Sequence, residues 1–120
     1  MKIIRPSEIP GEVQHQRLFI GESTMQHLID KGESKTFWSC LRHWGPGTRA
    51  KFHAHSSDQL LVVTEGKGFI TSEKAQVTVA PGEIVLIPAG EKHWHGATKD
   101  SKFAYIQIQG ADSQTTQFED

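Results

Sequence analysis

The chain has 120 residues, with 13 Lys and Arg against 14 Asp and Glu and a net charge of −1. The basic residues are scattered, so there is no electrostatic case for nucleic acid or an anionic membrane surface as a partner. The longest aliphatic run, Leu60-Leu61-Val62-Val63, is far too short to span a bilayer. The length suggests one domain, 1–120, large enough to fold without staples. The N-terminus, Met1-Lys2-Ile3-Ile4-Arg5-Pro6, lacks the apolar stretch of a secretion signal. The single Cys40 cannot form an internal disulfide, so a cytoplasmic protein is expected. Histidine is the unusual component, with seven in a short chain.

Turn residues punctuate the sequence from Ile9-Pro10-Gly11 onward. Glu22 to Asp30 reads as a short helix or a polar loop. Short strand-like runs then follow over 35–44, 49–53, 59–64, 68–72, 75–79, 83–87, 93–97 and 103–109. They are separated by Gly45-Pro46-Gly47, Glu65-Gly66-Lys67-Gly68, Ala80-Pro81-Gly82 and Pro88-Ala89-Gly90. Proline presets φ and glycine supplies positive φ, so each cluster is a turn with a mechanism. Val77 and Val79 alternate with Thr78 as in a half-buried strand. Many short strands at regular spacing predict an all-β sandwich or barrel, with its core over about 35–110. The polar tail from Asp112 to Asp120 is expected to fray or to drape over the surface.

Two blocks carry the chemistry. In the first, Gly47 precedes His53-x-His55, with Gln59 four residues on and Gly66 beyond. Residues i and i+2 of a strand share a face, so His53 and His55 can converge on one metal ion with Gln59. In the second, Gly82 opens a strand, Pro88-Ala89-Gly90 reverses the chain, and His93 starts the returning strand. Imidazole suits Zn, Fe, Ni, Cu and Mn alike. Three nitrogens and one oxygen leave coordination positions open, as a catalytic site requires.

These two ordered blocks resemble those of the cupin superfamily, over roughly residues 45–109. The resemblance implies a double-stranded β-helix, the jelly-roll barrel, with metal ligands at His53, His55, position 59 and His93. The common family residue at position 59 is Glu, whereas this chain has Gln59; at position 97, where many members carry Asn, it has Ala97. A neutral ligand leaves a divalent ion its full charge and makes it a stronger Lewis acid. It also stabilises a trivalent ion less well, which favours acid–base or carbonyl chemistry over redox cycling. Gly90-Glu91-Lys92-His93-Trp94-His95-Gly96-Ala97, together with Gln59, is similar to small three-His, one-Gln cupins that include bacterial manganese-dependent hydroxynitrile lyases. The implied cofactor is a divalent transition metal (Mn, Zn, Fe or Ni), with Mn favoured. The implied activity is a metal-dependent lyase or other non-redox carbonyl chemistry on a small molecule. The alternatives are a dioxygenase or isomerase, or a module that binds a small ligand without changing it.

The same resemblance gives His95 a catalytic place, as the residue that positions the substrate or moves its proton. Strand parity lets its ring point inward with that of His93, where a neutral imidazole could serve as a general base or only orient its neighbours. Along 103–109, Phe103, Tyr105, Gln107 and Gln109 form one face and Ala104, Ile106 and Ile108 the other. The lyase-like cupins favour the odd face inward, with Tyr105, Gln107 and Gln109 at the substrate pocket; the reverse would put the amides in solvent. Trp38, Cys40, Arg42 and Trp44 also share a face, and if that face is inward Arg42 could hold a carboxylate. Small cupins commonly pair through sheet edges, so a homodimer is expected, with 2–5 and 16–20 as candidate edge strands.

Overall fold

Alternating side chains between Gly- and Pro-rich turns produce strands along the whole chain. The computed structural model describes residues 1–120. In chain order the strands are β1 (Glu12–Gln14), β2 (Phe19–Ile20), β3 (Ser23–Ile29), β4 (Phe37–Trp44), β5 (Arg49–Ala50), β6 (His53–His55), β7 (Gln59–Gly66), β8 (Gly68–Ser72), β9 (Gln76–Val79), β10 (Ile84–Ile87), β11 (His93–Ala97), β12 (Phe103–Gly110) and β13 (Thr115–Gln117). One 3-10 turn, Pro6–Glu8, is the only helical piece.

The strands form two antiparallel sheets. The first runs β1-β3-β4-β12-β7-β10. The second runs β13-β6-β11-β5-β2, with β8 joined to β11 and β9 joined to β8. This is the jelly-roll arrangement expected of the sequence. Between the sheets, Trp44, Leu61, Val63, Val79, Ile87, Phe103 and Tyr105 form the main apolar cluster. Burying each large side chain contributes about 1.5–3 kcal/mol before the entropic cost of ordering it. The inward face changes character along β12. Phe103 and Tyr105 belong to the apolar cluster, whereas Gln107 and Gln109 line a cavity. The odd positions of β12 and the even positions of β4 therefore face inward together, in the register Tyr105 to Arg42 and Gln107 to Cys40.

Several expectations are corrected. Glu22 to Asp30 is neither helix nor loop but strand β3, paired along β4. Ser23 and Met25 are buried on its inward face, and Met25 with the exposed His27 further along borders the cavity rather than the apolar cluster. The usual alternation of apolar and polar residues is therefore absent. Residues 2–5 form no strand. The N-terminal segment instead lies on the outer face of the first sheet, where Ile4 and Ile9 pack on Leu28, Leu41 and Ala104. Gln26 Nε2 ties it down through Pro6 O (2.7 Å) and Ile9 O (2.9 Å). Within 16–20 only Phe19–Ile20 is a strand, and it pairs with β5. The run over 49–53 is broken into β5 and β6. Val79 is buried, but Val77 lies 55% exposed on the edge strand β9. The tail does not fray. Its strand β13 pairs with β6, and Glu119 grips Arg49 at 2.8 Å.

Candidate metal centre

His53 and His55 alternate on β6, and both are buried. On β11, His93 pairs directly with His53 across the ladder. Ring centroids lie 4.3 Å apart for His53 and His93, and 4.8 Å apart for His53 and His55. Potential ligand atoms of the three all fall within 4.8 Å of one another. Two glycines make this convergence possible. Gly90 takes a φ of 83°, a left-handed turn that an L side chain rarely adopts. Its N–H donates to His55 O at 2.8 Å, tying the turn before His93 to β6. A Cβ on Gly96 would stand 2.3 Å from Arg49 Cβ and 2.5 Å from Thr48 O, so β5 packs on β11 only because that position has no side chain.

The hydrogen bonds orient the rings. His53 Nδ1 lies 2.6 Å from Lys51 O, and His93 Nδ1 lies 2.8 Å from Glu91 O. A carbonyl oxygen only accepts, so each Nδ1 donates, and in the neutral ring Nε2 keeps its lone pair. His55 Nδ1 contacts Thr115 Oγ1 at 2.9 Å, while its Nε2 is buried without a partner. Gln59 Oε1 faces His93 Nε2 at 3.2 Å. Its amide nitrogen donates to Gln109 Oε1 at 3.0 Å, and Gln107 Nε2 donates to the same oxygen at 2.7 Å. With His93 in that tautomer, two lone-pair atoms face each other with no proton between them. A cation resolves such a contact. The donor set therefore fits a divalent transition ion, with His53, His55, His93 and Gln59 as the residues that could hold it.

Burial, reinforced by the nearby His93, pushes His53 down to about 3 and His55 down to about 4. Burial likewise lowers His93. The rings are thus neutral near pH 7, the form in which imidazole ligates a metal.

His95 follows on the same face of β11, 4% exposed, with its ring centroid 5.4 Å from those of both His53 and His93. Its Nδ1 lies 2.7 Å from the Tyr105 hydroxyl, which accepts the Trp44 indole N–H at 2.9 Å. With Trp44 donating to that oxygen, the Tyr105 proton points to His95 Nδ1. The His95 proton then sits on Nε2, which is buried without a partner. Burial, with the charges of the neighbouring histidines and Arg42, holds His95 well below the usual histidine range. In this state His95 presents a hydrogen-bond donor rather than a basic lone pair.

A cavity of about 510 Å³ opens beside these groups. His53, His55, Gln59, His95, Gln107, Gln109 and Arg42 all border it. Tyr105, expected at the pocket, does not line it; it is fully buried and hydrogen-bonded to His95. Trp44 and Thr115 were not singled out as site residues from the sequence. Trp44 shares the face of Arg42, which was a usable signal. Thr115 lies on a strand of three residues in a polar tail, too short to show a period.

Two facing sheets around a buried set of imidazole and amide donors define a jelly-roll protein with a candidate metal site. The chain belongs to the cupin family, whose Cupin domain matches residues 40–108. It is 40% identical over 65 residues to the (R)-mandelonitrile lyase of Granulicella tundricola, covering 53% of this chain and 50% of that protein. It is 30% identical over 69 residues to the acireductone dioxygenase of a Sulfurihydrogenibium species, covering 52% of this chain and 38% of that one. The chain therefore spans half or less of the length of these curated relatives. Among solved structures, a cupin-like protein from Thermotoga maritima superposes with a TM-score of 0.85 at 26% identity, covering 91% of this chain and 85% of that one.

Proposed function

We propose that this cupin is a divalent-metal-dependent enzyme that performs lyase or other non-redox chemistry at an oxygen-bearing carbon of a small molecule. The observation that carries the reading is the neutral donor set of His53, His55, His93 and Gln59, beside the unpartnered Nε2 of His95 in one cavity. A bound ion would supply Lewis acidity, undiminished by any carboxylate ligand. Mn is the favoured ion among Mn, Zn, Fe and Ni, on the resemblance of the donor set to manganese-dependent lyases. His95 then donates from Nε2 to the substrate oxygen, and Trp44 and Tyr105 hold its ring in the tautomer that does so. Of the two roles expected of His95, general base and orienting residue, we favour substrate positioning by hydrogen-bond donation, because the Tyr105 contact occupies Nδ1 and burial opposes the charged ring.

The relationship to a mandelonitrile lyase supports this chemistry, and the relationship to dioxygenases supports the alternative of oxygen-dependent chemistry. The test is a set of aromatic and aliphatic aldehydes and 2-oxo acids with cyanide, followed by chiral chromatography on protein loaded with Mn, Zn or Fe. Metal-dependent cyanohydrin formation that His95→Ala abolishes is the expected result. Oxygen consumption with enediol or catechol-like substrates, in place of cyanohydrin turnover, would select the dioxygenase reading.

We also propose a homodimer in the cytoplasm. The buried free thiol of Cys40 suits a reducing compartment. No helix is long and apolar enough to cross a membrane. Strand β10 ends the first sheet and exposes Ile84 (65%) and Leu86 (63%). A second copy placed by a two-fold axis would cover that edge with its own.

A further inference from the structure

Arg42 is the only Lys or Arg among the buried residues, at 6% exposed. Its neighbours are neutral. Nη1 donates to Gln14 Oε1 at 3.1 Å and to Ser23 Oγ at 3.2 Å. Nη2 points to Met25 Sδ at 3.1 Å, and the Phe19 ring lies 5.0 Å from the guanidinium carbon. The ion pairs of the chain involve Lys2, His15, His27, Arg49 and Lys102; none includes Arg42. The two acidic protons nearest on the inward face do not supply a counter-ion. Burial pushes the Cys40 thiol up to about 11 and the Tyr105 phenol further above its ordinary range.

A guanidinium taken out of water without an anion is costly, and truncating or pairing it changes that cost. Every chain with such a residue must offset it elsewhere or complete it with a ligand. Arg42 borders the same cavity as His53, His55, Gln59 and His95. Three of its five N–H groups are engaged, which leaves two. Two N–H groups can take two oxygens of an oxyanion side by side, in a carboxylate as in a phosphate, and the choice between them falls to the rest of the cavity. The rest of the cavity wall includes Phe19, Trp38 and Trp44, which suit an apolar body. The proposed donor set adds no negative charge, and Asp30 and Lys31 at the cavity border offset each other, so Arg42 and a bound ion would leave the cavity with an excess of positive charge.

We propose that the cavity takes a small organic acid, whose carboxylate lies on Arg42 while its carbonyl or hydroxyl oxygen is presented to the imidazole end and to His95. The proposal names the substrate class for the site described under the proposed function, and rests on that cavity being where the substrate binds. Arg42 is then a specificity-determining residue that favours acids over their neutral analogues.

The experiment is calorimetric titration of metal-loaded protein with phenylacetate, phenylacetamide and inorganic phosphate, repeated on Arg42→Gln and Arg42→Lys. The expected result is phenylacetate bound at least ~10-fold more tightly than the amide or phosphate. That preference should vanish in Arg42→Gln and survive in part in Arg42→Lys. Equal affinity for acid and amide in the wild type would overturn the proposal, and this comparison needs no variant to fold. A preference for the acid that persists undiminished in folded Arg42→Gln would also overturn it, since the carboxylate would then sit on the metal. Phosphate binding as tightly as the acid would overturn the carboxylate assignment. Repeating the wild-type titration on metal-free protein separates the two ideas. An acid preference retained there supports Arg42 even if the chain takes up no metal, and its absence from a chain that does take up metal counts against Arg42 alone.

Discussion

At position 59 a glutamine stands where a glutamate would add negative charge to the donor set. Gln59→Glu should keep bound metal, because a carboxylate is also a good ligand, and should lower the rate of any carbonyl chemistry by weakening the ion as a Lewis acid. Metal content by elemental analysis and rate measured on the same sample check this; a faster variant at equal metal content would show the charge argument to be wrong. His95 is separable from the ligands. His95→Ala should leave metal content intact and cost roughly 10²–10³-fold in turnover, the range for removing one hydrogen-bond donor to a developing oxyanion. His93→Ala should lose metal and activity together. Full activity in His95→Ala would remove that residue from the mechanism. The pair His53-x-His55 was legible because strand geometry alone puts i and i+2 on one face. The tautomer of His95 was not, because it depends on Trp44 and Tyr105, which lie 51 and 10 residues away in sequence and meet it only across the sheets.

Strand β13 shows why one element escaped notice. A three-residue strand in a polar tail has too few positions to display a period of two, yet it pairs with β6 and places Thr115 Oγ1 against His55 Nδ1. Thr115→Val removes that partner while keeping the shape. It should weaken metal affinity by about 10–100-fold, the usual effect of losing a ligand's hydrogen-bond partner; competition with a chromophoric chelator would measure it. Unchanged affinity would mean that β13 only covers β6. Strand β3 was misread for the opposite reason. It is long enough to show a period, but its buried Ser23 hydrogen-bonds His43 O and Arg42, and its His27 is exposed at the cavity border, so polar residues stand where apolar ones would have marked a strand. On β11, Gly96→Ala should destabilise the protein by about 1–3 kcal/mol, because its methyl meets backbone and Arg49 Cβ rather than a flexible side-chain end. A melting temperature equal to the wild type would show that β5 can move away without cost.

For the whole molecule, burial of neutral histidines couples stability to pH. Between about pH 6.5 and about 3, the unfolded chain protonates histidines that the folded, metal-free chain keeps neutral at His53 and His55. The unfolded state then binds more protons, so stability is greatest above that window and falls as pH drops through it. Urea unfolding of metal-free protein should show a lower midpoint at about pH 4.5 than at about pH 7.5; equal midpoints would contradict the burial of these rings. The exposed β10 edge predicts a dimer by light scattering at micromolar concentration, and a shift to monomer in Leu86→Lys; a monomeric wild type would remove the two-fold pairing.

The jelly-roll architecture was legible at this scale because turn clusters recur along the sequence and because two histidine blocks stand in order. The N-terminal covering was not, because Ile4 and Ile9 find their apolar partners on a face formed by distant strands.

The central claim is that three imidazoles and Gln59 together hold one divalent ion. Elemental analysis of protein purified without added metal, then dialysed against limiting Mn or Zn, tests it most directly. The account predicts close to one ion per chain, lost in His53→Ala and His93→Ala while both variants keep the β-sheet signature of the wild type. No stoichiometric ion in the wild type after dialysis, or full occupancy in folded His93→Ala, would contradict it.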